Sequence, residues 1–162
     1  MREQTIAVRT DGAGALKRAL NDAGWLDDEV MAVGHFRQGK PPSLAAMMTG
    51  TALIEVLRPR RSKRLPRQFV LAATRDRLVA FKALGVGHGE ETDLNYYYEV
   101  RIKPEEQASF ARSGVRITDL TEGVVADGAT LVIDTEHIPV MRQADAASDP
   151  NTDELVGMLA AA

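Results

Sequence analysis

The chain contains no cysteine. Disulfides, thiolate metal sites and cysteine nucleophiles are therefore excluded, and an intracellular, cytoplasmic location is favoured. Aromatic residues are also scarce, at 5% of 162 residues. The basic stretch from residue 58 to residue 67 contains none of them, so it has no platform on which nucleic-acid bases could stack. We therefore expect no nucleic-acid partner.

The chain also lacks a hydrophobic run long enough to span a bilayer. Its most apolar window, Leu44 to Leu57, is shorter than the roughly 20 residues that a transmembrane helix needs, and it includes Glu55. The N-terminal sequence MREQTIAVRTDG has neither the apolar core nor the cleavage pattern of a signal peptide. We therefore expect a soluble protein.

The overall composition is that of a globular protein. Hydrophobic residues make up 44% of the chain and charged residues 27%, which is an ordinary balance for one domain with a core. The net charge is −3, and this argues against a surface built to coat nucleic acid. The cations are nevertheless concentrated. Six of them fall within ten residues: Arg58, Arg60, Arg61, Lys63, Arg64 and Arg67.

The centre of the chain predicts an antiparallel hairpin. Two runs of β-forming residues, Gln68 to Ala73 and Leu78 to Lys82, flank the charged tripeptide Arg75-Asp76-Arg77. A short polar segment between two such runs is typical of a tight turn. We therefore expect the chain to reverse direction at residues 75–77.

A helix is predicted near each end of the chain. From Asp11 to Ala23, apolar residues recur at helical spacing, with Asp11 as the expected N-cap and Gly24 as the expected C-cap. Asn151 is expected to cap the second helix, from Thr152 to Ala160.

Further strands are predicted between breaks that contain glycine or proline. Asp127-Gly128 is interpreted as the turn of a hairpin that joins Val124-Val125 to the following strand. Pro139 favours an edge position for the last strand. The predicted strands are Val30 to Arg37, Asn95 to Lys103, which Pro104 ends, Val115 to Leu120, Thr130 to Ile133, and Glu136 to Met141.

The order of these elements resembles that of the bacterial pleckstrin-homology-like (PH-like) domain family. The C-terminal sequence DELVGMLA is similar to the helix that covers the open end of the half-barrel in that family. The residues that carry the rest of the resemblance are Val70, Leu71, Thr74, Arg77, Leu78, Val79 and Phe81.

The resemblance implies an α+β fold in one structural domain. Its sheet would be strongly bent and antiparallel, or a partly open barrel, with a C-terminal capping helix and an N-terminal helix. Residues 1–27 are then an N-terminal helical extension, and residues 28–162 form the PH-like domain.

The basic stretch is the first candidate functional site. Arginine can hold phosphate through two parallel hydrogen bonds, and loops between early strands often face anionic lipids in the family that the chain resembles. The six cations of residues 58–67 are therefore candidates for binding an anionic membrane or another anion. The alternative is a solvated loop that pairs with the protein's own acidic surface.

The second candidate is a surface for protein contacts. The stretch Leu44 to Leu57 is apolar and rich in small residues, and its sequence does not decide between helix and strand. An amphipathic segment of this kind can supply a dimer surface. Tyr97 faces away from Tyr96 and Tyr98 on a strand, so it is expected to be either an exposed contact residue or a lone surface ring. The interface candidates are Leu44, Met47, Met48 and Tyr97.

No catalytic, metal or cofactor site is predicted. His35, His88 and His137 are widely spaced, whereas a metal site needs three or four converging ligands. The sequence GVGHG at residues 85–89 is expected to be a flexible connection, because acidic residues follow it and its spacing departs from GxGxxG.

The sequence therefore favours a non-catalytic binding or assembly module that acts through protein contacts or self-association. Peripheral binding to anionic membranes through residues 58–67 is the alternative. An enzyme whose residues meet only in the folded chain is the third hypothesis, and a small-molecule ligand is left open.

Overall fold

The computed structural model describes residues 4–41, 48–50, 62–89, 94, 96–123, 126–143 and 149–160. In these ranges, eight strands form one antiparallel sheet that does not close, and two α-helices pack against it, so the α+β class is confirmed. The strands are β1 (Ile6–Arg9), β2 (Ala32–Gln38), β3 (Gln68–Ala73), β4 (Arg77–His88), β5 (Tyr97–Ala111), β6 (Val115–Thr121), β7 (Ala126–Ile133) and β8 (Glu136–Gln143), and the helices are α1 (Ala15–Ala23) and α2 (Pro150–Ala160).

The strands lie in the order β1-β5-β4-β3-β2-β8-β7-β6. The predicted central hairpin is confirmed, since β3 pairs with β4 from Phe69–Lys82 to Ala73–Leu78. The backbone N–H of Thr74 donates to the carbonyl of Arg77 at 2.9 Å and closes the turn.

The sheet curls, because side chains from both of its halves meet in one core with α2. Strand periodicity sends alternate residues to opposite faces, so Leu71 belongs to this core while Val70 packs on the other face, under α1. Burial contributes about 1.5–3 kcal/mol for each large apolar side chain. The core under α2 includes Phe36, Phe69, Ile117, Leu131, Ile138, Leu155, Val156 and Leu159.

Helix α1 starts later than predicted. Gly14, with φ 74°, precedes Ala15, and no side chain caps the helix. The expected N-cap, Asp11, instead forms an ion pair with Arg9 at 2.8 Å. The C-cap prediction is confirmed, because Gly24 has φ 67° and its N–H donates to the carbonyls at the end of the helix.

Asp149 caps α2, and the prediction that Asn151 does so is wrong. The Asp149 carboxylate accepts hydrogen bonds from the backbone N–H of Thr152, at 3.0 Å, and from its hydroxyl. Asn151 is buried, and its amide donates to the carbonyls of Thr10 and Gly12 at 3.0 Å each. This side chain ties the N-terminal residues to α2.

Strands β4 and β5 extend well beyond their predicted ends. Residues 85–88 continue β4, so they are not a flexible connection. A Cβ at Gly85 would lie 2.8 Å from Cε2 of Tyr98, which shows that the missing side chain makes room for the tyrosine ring. Strand β5 continues past Pro104, because the register shifts there between the pairs Phe81–Glu106 and Ala83–Ile102. Such a bulge accommodates a residue that has no N–H to donate.

The predicted turn at Asp127-Gly128 is wrong. Both residues lie inside β7 and pair with Arg142 and Met141 of β8. The chain reverses on either side of β7, between Thr121 and Ala126 and again after Ile133, where Asp134 has φ 56°. The other half of the predicted hairpin, Val124-Val125, lies outside the described residues.

Strand β8 is not an edge strand, since it lies between β2 and β7. Pro139 is tolerated because β2 pairs with β8 only at Arg37–Met141 and Gln38–Val140. The edge of the sheet is occupied at one end by β6 and at the other by β1, a strand that the sequence analysis did not predict.

Candidate anion-binding site

A concave site lies where the basic stretch meets β4 and β5. Its cavity has a volume of about 680 Å³, and no carboxylate is found among the described residues that line it. An adjoining cavity of about 450 Å³ shares Lys82 and Lys103 with it and continues past the β5 bulge to Glu105. We call the first cavity the basic cleft. Its cations are Lys63, Arg64, Arg67, Lys82, Arg101 and Lys103.

The alternation of side chains along β4 explains why Lys82 faces the cleft. Leu78 and Ala80 of β4 belong to the core under α2, and the next alternate residues on that face are Lys82 and Leu84. The apolar face of β4 therefore continues, beyond the end of the core, as a wall of the cleft.

The bulge in β5 explains why two more cations, Arg101 and Lys103, face the cleft. Before it, Ile102 packs under α1, whereas after it Ala108 packs on the core under α2, so the bulge reverses which residues face each side. Arg101 and Lys103 consequently lie on the same face as Lys82. Pro104 thus marks the point at which β5 turns its basic residues toward the cleft.

A buried glutamine holds the described part of the basic stretch, residues 62–67, in place. Gln38 is 3% exposed, and its amide nitrogen donates to the carbonyls of Ser62, Leu65 and Pro66 at 2.9–3.0 Å. Its amide oxygen accepts from the backbone N–H of Ser62 at 2.8 Å. Residues 62–66 therefore follow a fixed path although they lie outside the helices and strands.

Two of the six cations are already paired. Arg64 contacts Asp134 at 3.6 Å and Glu136 at 3.5 Å, and its guanidinium lies 4.9 Å from the centre of the Phe110 ring. Arg101 contacts Glu99 at 3.1 Å.

The other four cleft cations have no such partner. None of the ion pairs found in the described part of the chain involves Lys63, Arg67, Lys82 or Lys103. All four are exposed at the cleft. The cleft therefore offers four solvated positive charges to an incoming anion.

The predicted basic residues divide between this site and the undescribed part of the chain. Lys63, Arg64 and Arg67 line the cleft, while Arg58, Arg60 and Arg61 lie outside the described residues. Lys82, Arg101 and Lys103 were not predicted from the sequence. The sequence shows that these residues alternate with apolar ones along each strand. Only the register between β4 and β5 shows that they lie on the same face of the sheet.

The predicted interface residues are only partly described. Met48 is 80% exposed, whereas Leu44 and Met47 lie outside the described residues. Tyr97 is half-buried and not a free ring: the Arg9 guanidinium lies 4.3 Å from its centre, and His88 stacks on it at 4.6 Å.

The histidines do not form a metal site in the described ranges, where no group of three or more possible ligands is found. His88 bonds Glu99 at 2.7 Å, and this contact lowers the pKa of the Glu99 carboxyl. His35 is buried in the sheet and His137 is exposed, and neither lines any of the described cavities.

A separate cavity of about 290 Å³ lies between α2 and the strands β6 to β8. Its charged lining is one arginine, Arg142, and three carboxylates, Glu122, Asp127 and Asp153. Its balance of charge is thus opposite to that of the basic cleft, which is the better candidate for an anion.

Comparison with family models, curated proteins and solved structures finds no match to this chain. No helix in the described ranges is long and apolar enough to cross a bilayer.

Proposed function

We propose that this protein is a non-catalytic binding module of PH-like type that docks on anionic membrane surfaces through the basic cleft. One observation carries the proposal: a cavity of about 680 Å³ is lined by four cations that form no ion pair with any described residue, and it has no carboxylate among its described lining residues. In a protein of net charge −3, this concentration of positive charge creates a local potential that attracts phosphate groups.

The strand order supports the PH-like part of the proposal. Strands β2 to β5 form one antiparallel meander and β6 to β8 a second, and the two series join through β2 and β8. Helix α2 follows them and packs into the core between the two halves of the curled sheet. This agrees with a half-barrel whose opening is covered by a C-terminal helix. The strand β1 and the helix α1 are then additions that precede the series.

Vesicle co-sedimentation tests the membrane part. The protein should bind phosphatidylcholine vesicles that contain phosphatidylglycerol and should not bind vesicles of phosphatidylcholine alone. The triple variant Arg67→Gln, Lys82→Gln, Lys103→Gln should lose affinity roughly 100-fold, since each cation near an anionic surface contributes about 1 kcal/mol.

The matched control removes three exposed cations outside the cleft, by Arg18→Gln, Arg75→Gln and Arg116→Gln. It changes the net charge by the same amount, so equal losses in both triple variants would show that only net charge matters and would refute the cleft. Thermal unfolding with inorganic pyrophosphate tests whether the cleft binds a free phosphate compound. If pyrophosphate raises Tm while no vesicle binds, the anion is a free phosphate compound and not a lipid head group.

Protein contacts, which the sequence alone favoured over membrane binding, are the second candidate function, and the exposed Met48 supports them. Met48 lies within the apolar stretch Leu44 to Leu57, most of which is outside the described residues. Light scattering over a range of concentrations tests self-association: Met48→Gln should shift a monomer–dimer equilibrium toward the monomer. A concentration-independent monomer for the wild type would remove this candidate.

A further inference from the structure

The basic cleft contains one exposed apolar side chain among its cations. Leu84 is 52% exposed, follows Lys82 on the same face of β4, and pairs with Arg101 of β5. The other exposed large hydrophobic residues in the described ranges, such as Met31 and Leu120, do not line this cavity.

The position of Leu84 follows from the fold. On the face of β4 that carries it, Leu78 and Ala80 are fully buried in the core under α2, whereas Leu84 lies two alternate positions beyond them, where the cleft opens. A leucine in a convex surface is unremarkable. In a concave wall it is different, because a ligand that enters the cavity can cover it.

Other parts of the wall are apolar as well. Leu65 and Pro66 line the same cavity and have little exposed surface. The cavity, at about 680 Å³, is in the range of roughly 300–1,000 Å³ that is typical of pockets for whole small molecules. It therefore has room for more than a phosphate group.

We infer that the cleft binds an amphiphilic anion, in which a phosphate group meets the cations and an attached alkyl segment packs on Leu84. This inference rests on the proposed function, and it adds that the ligand enters with its apolar segment and not with the head group alone. Charge complementarity selects the phosphate, and the exposed Leu84 selects the alkyl segment.

Isothermal titration calorimetry with ethyl, butyl and hexyl phosphate tests the inference on the full chain. Each methylene group that becomes buried should tighten binding by up to about fourfold. Hexyl phosphate should therefore bind at least tenfold more tightly than ethyl phosphate, with a more negative heat-capacity change for the longer chain.

A pair of variants locates the effect. Leu84→Asn should abolish the gain with chain length and leave ethyl phosphate binding unchanged. Leu120→Asn is the matched control, because Leu120 has a similar exposure of 54% but lies outside the cleft, and it should keep the full gain. Lys82→Gln should weaken all three compounds by the same factor.

The outcomes separate this inference from the proposed function. Equal binding of ethyl and hexyl phosphate, or a chain-length gain that survives Leu84→Asn, overturns the alkyl contact and leaves anion binding intact. If no alkyl phosphate binds and no anionic vesicle binds, the cleft is not an anion site and both proposals fail.

Discussion

His35 is buried on β2 with 7% of its surface exposed, and its ring lies 6.4 Å from that of Tyr98. Its backbone N–H donates to the hydroxyl of Thr152 at 2.8 Å, while Nε2 finds no hydrogen-bond partner in the described part of the chain. Burial lowers the pKa of His35 to about 4, with a smaller contribution from the charge of Arg37 and an opposing one from Gln68. The side chain is therefore neutral in the folded protein at pH 7.

This neutral histidine predicts how stability depends on pH. The unfolded chain binds a proton near the ordinary pKa of about 6.5, whereas the folded chain does so near 4, so stability is full above about pH 6.5 and falls as the pH drops toward 4. The loss should reach about 3 kcal/mol. Urea unfolding of the wild type and of His35→Met should show it, with a flatter profile for the variant.

The exposed His137 supplies the control, and His137→Gln should follow the wild-type profile. Burial also raises the pKa of Asp149, so the measure is the difference between wild type and variant. An identical pH profile for His35→Met and the wild type would contradict the prediction.

Gly85 illustrates a second residue-scale constraint. Because the Tyr98 ring occupies the space of its missing side chain, Gly85→Ala should destabilise the protein by about 1–3 kcal/mol through overpacking. Gly157 is the contrasting position: it lies inside α2 with nothing within 4 Å of an added Cβ. Gly157→Ala should therefore stabilise by about 0.5–1 kcal/mol. Thermal unfolding distinguishes the two, and a stabilised Gly85→Ala would refute the close contact.

At the scale of elements, two buried amides hold segments that have no regular structure. Gln38 fixes residues 62–66 of the basic stretch through Ser62, Leu65 and Pro66, and Asn151 fixes the residues before α1. Removing either side-chain amide would leave several buried backbone groups without hydrogen-bond partners. Their roles differ only in which segment they hold.

This difference gives a matched prediction. Gln38→Ala and Asn151→Ala should each cost roughly 2–4 kcal/mol in urea unfolding. Only Gln38→Ala should also weaken the binding of anionic vesicles, because only Gln38 positions Lys63 and Arg67. Equal vesicle binding by wild type and both variants would show that the basic stretch needs no fixed path.

The elements also show what could be predicted from the sequence. The β3–β4 hairpin was predicted because its turn chemistry is local. The continuation of β5 past Pro104 was missed because a bulge depends on the neighbouring strand. The role of Gly85 was missed for the same reason, since only the folded sheet places Tyr98 over it. Asp127-Gly128 has turn chemistry, yet strand pairing on both sides overrides it.

The candidate site was half predictable. Lys63, Arg64 and Arg67 were found because they are close together in the sequence. Lys82 and Lys103 are separated by twenty other residues, and their shared face depends on the register of β4 and β5 and on the bulge. Long-range register is the information that a single sequence does not carry.

At the scale of the whole molecule, the cleft stands out because its charges oppose folding. Like charges repel, and the cleft gathers Lys63, Arg67, Lys82 and Lys103 without a paired carboxylate in the described ranges, although the protein carries more acidic than basic residues. Repulsion between exposed cations is modest. It is nevertheless a cost that a purely structural surface would avoid by pairing, as Arg64 and Arg101 do.

A ligand that supplies the missing negative charge should therefore reverse this cost. Without anion, Lys82→Gln combined with Lys103→Gln should raise Tm slightly, because it removes repulsion and breaks no ion pair found in the described ranges. With hexyl phosphate at about 100 times its dissociation constant, the free energy of unfolding of the wild type should rise by about 2.7 kcal/mol. That of the double variant should rise much less, so that the order of their Tm values reverses.

Differential scanning calorimetry at low salt measures the Tm difference between wild type and double variant, both without and with hexyl phosphate. Added NaCl should reduce both differences, since screening weakens interactions between exposed charges. A double variant that is less stable than the wild type without anion would mean that the two lysines serve the fold, and the surplus of positive charge would then no longer point to a ligand.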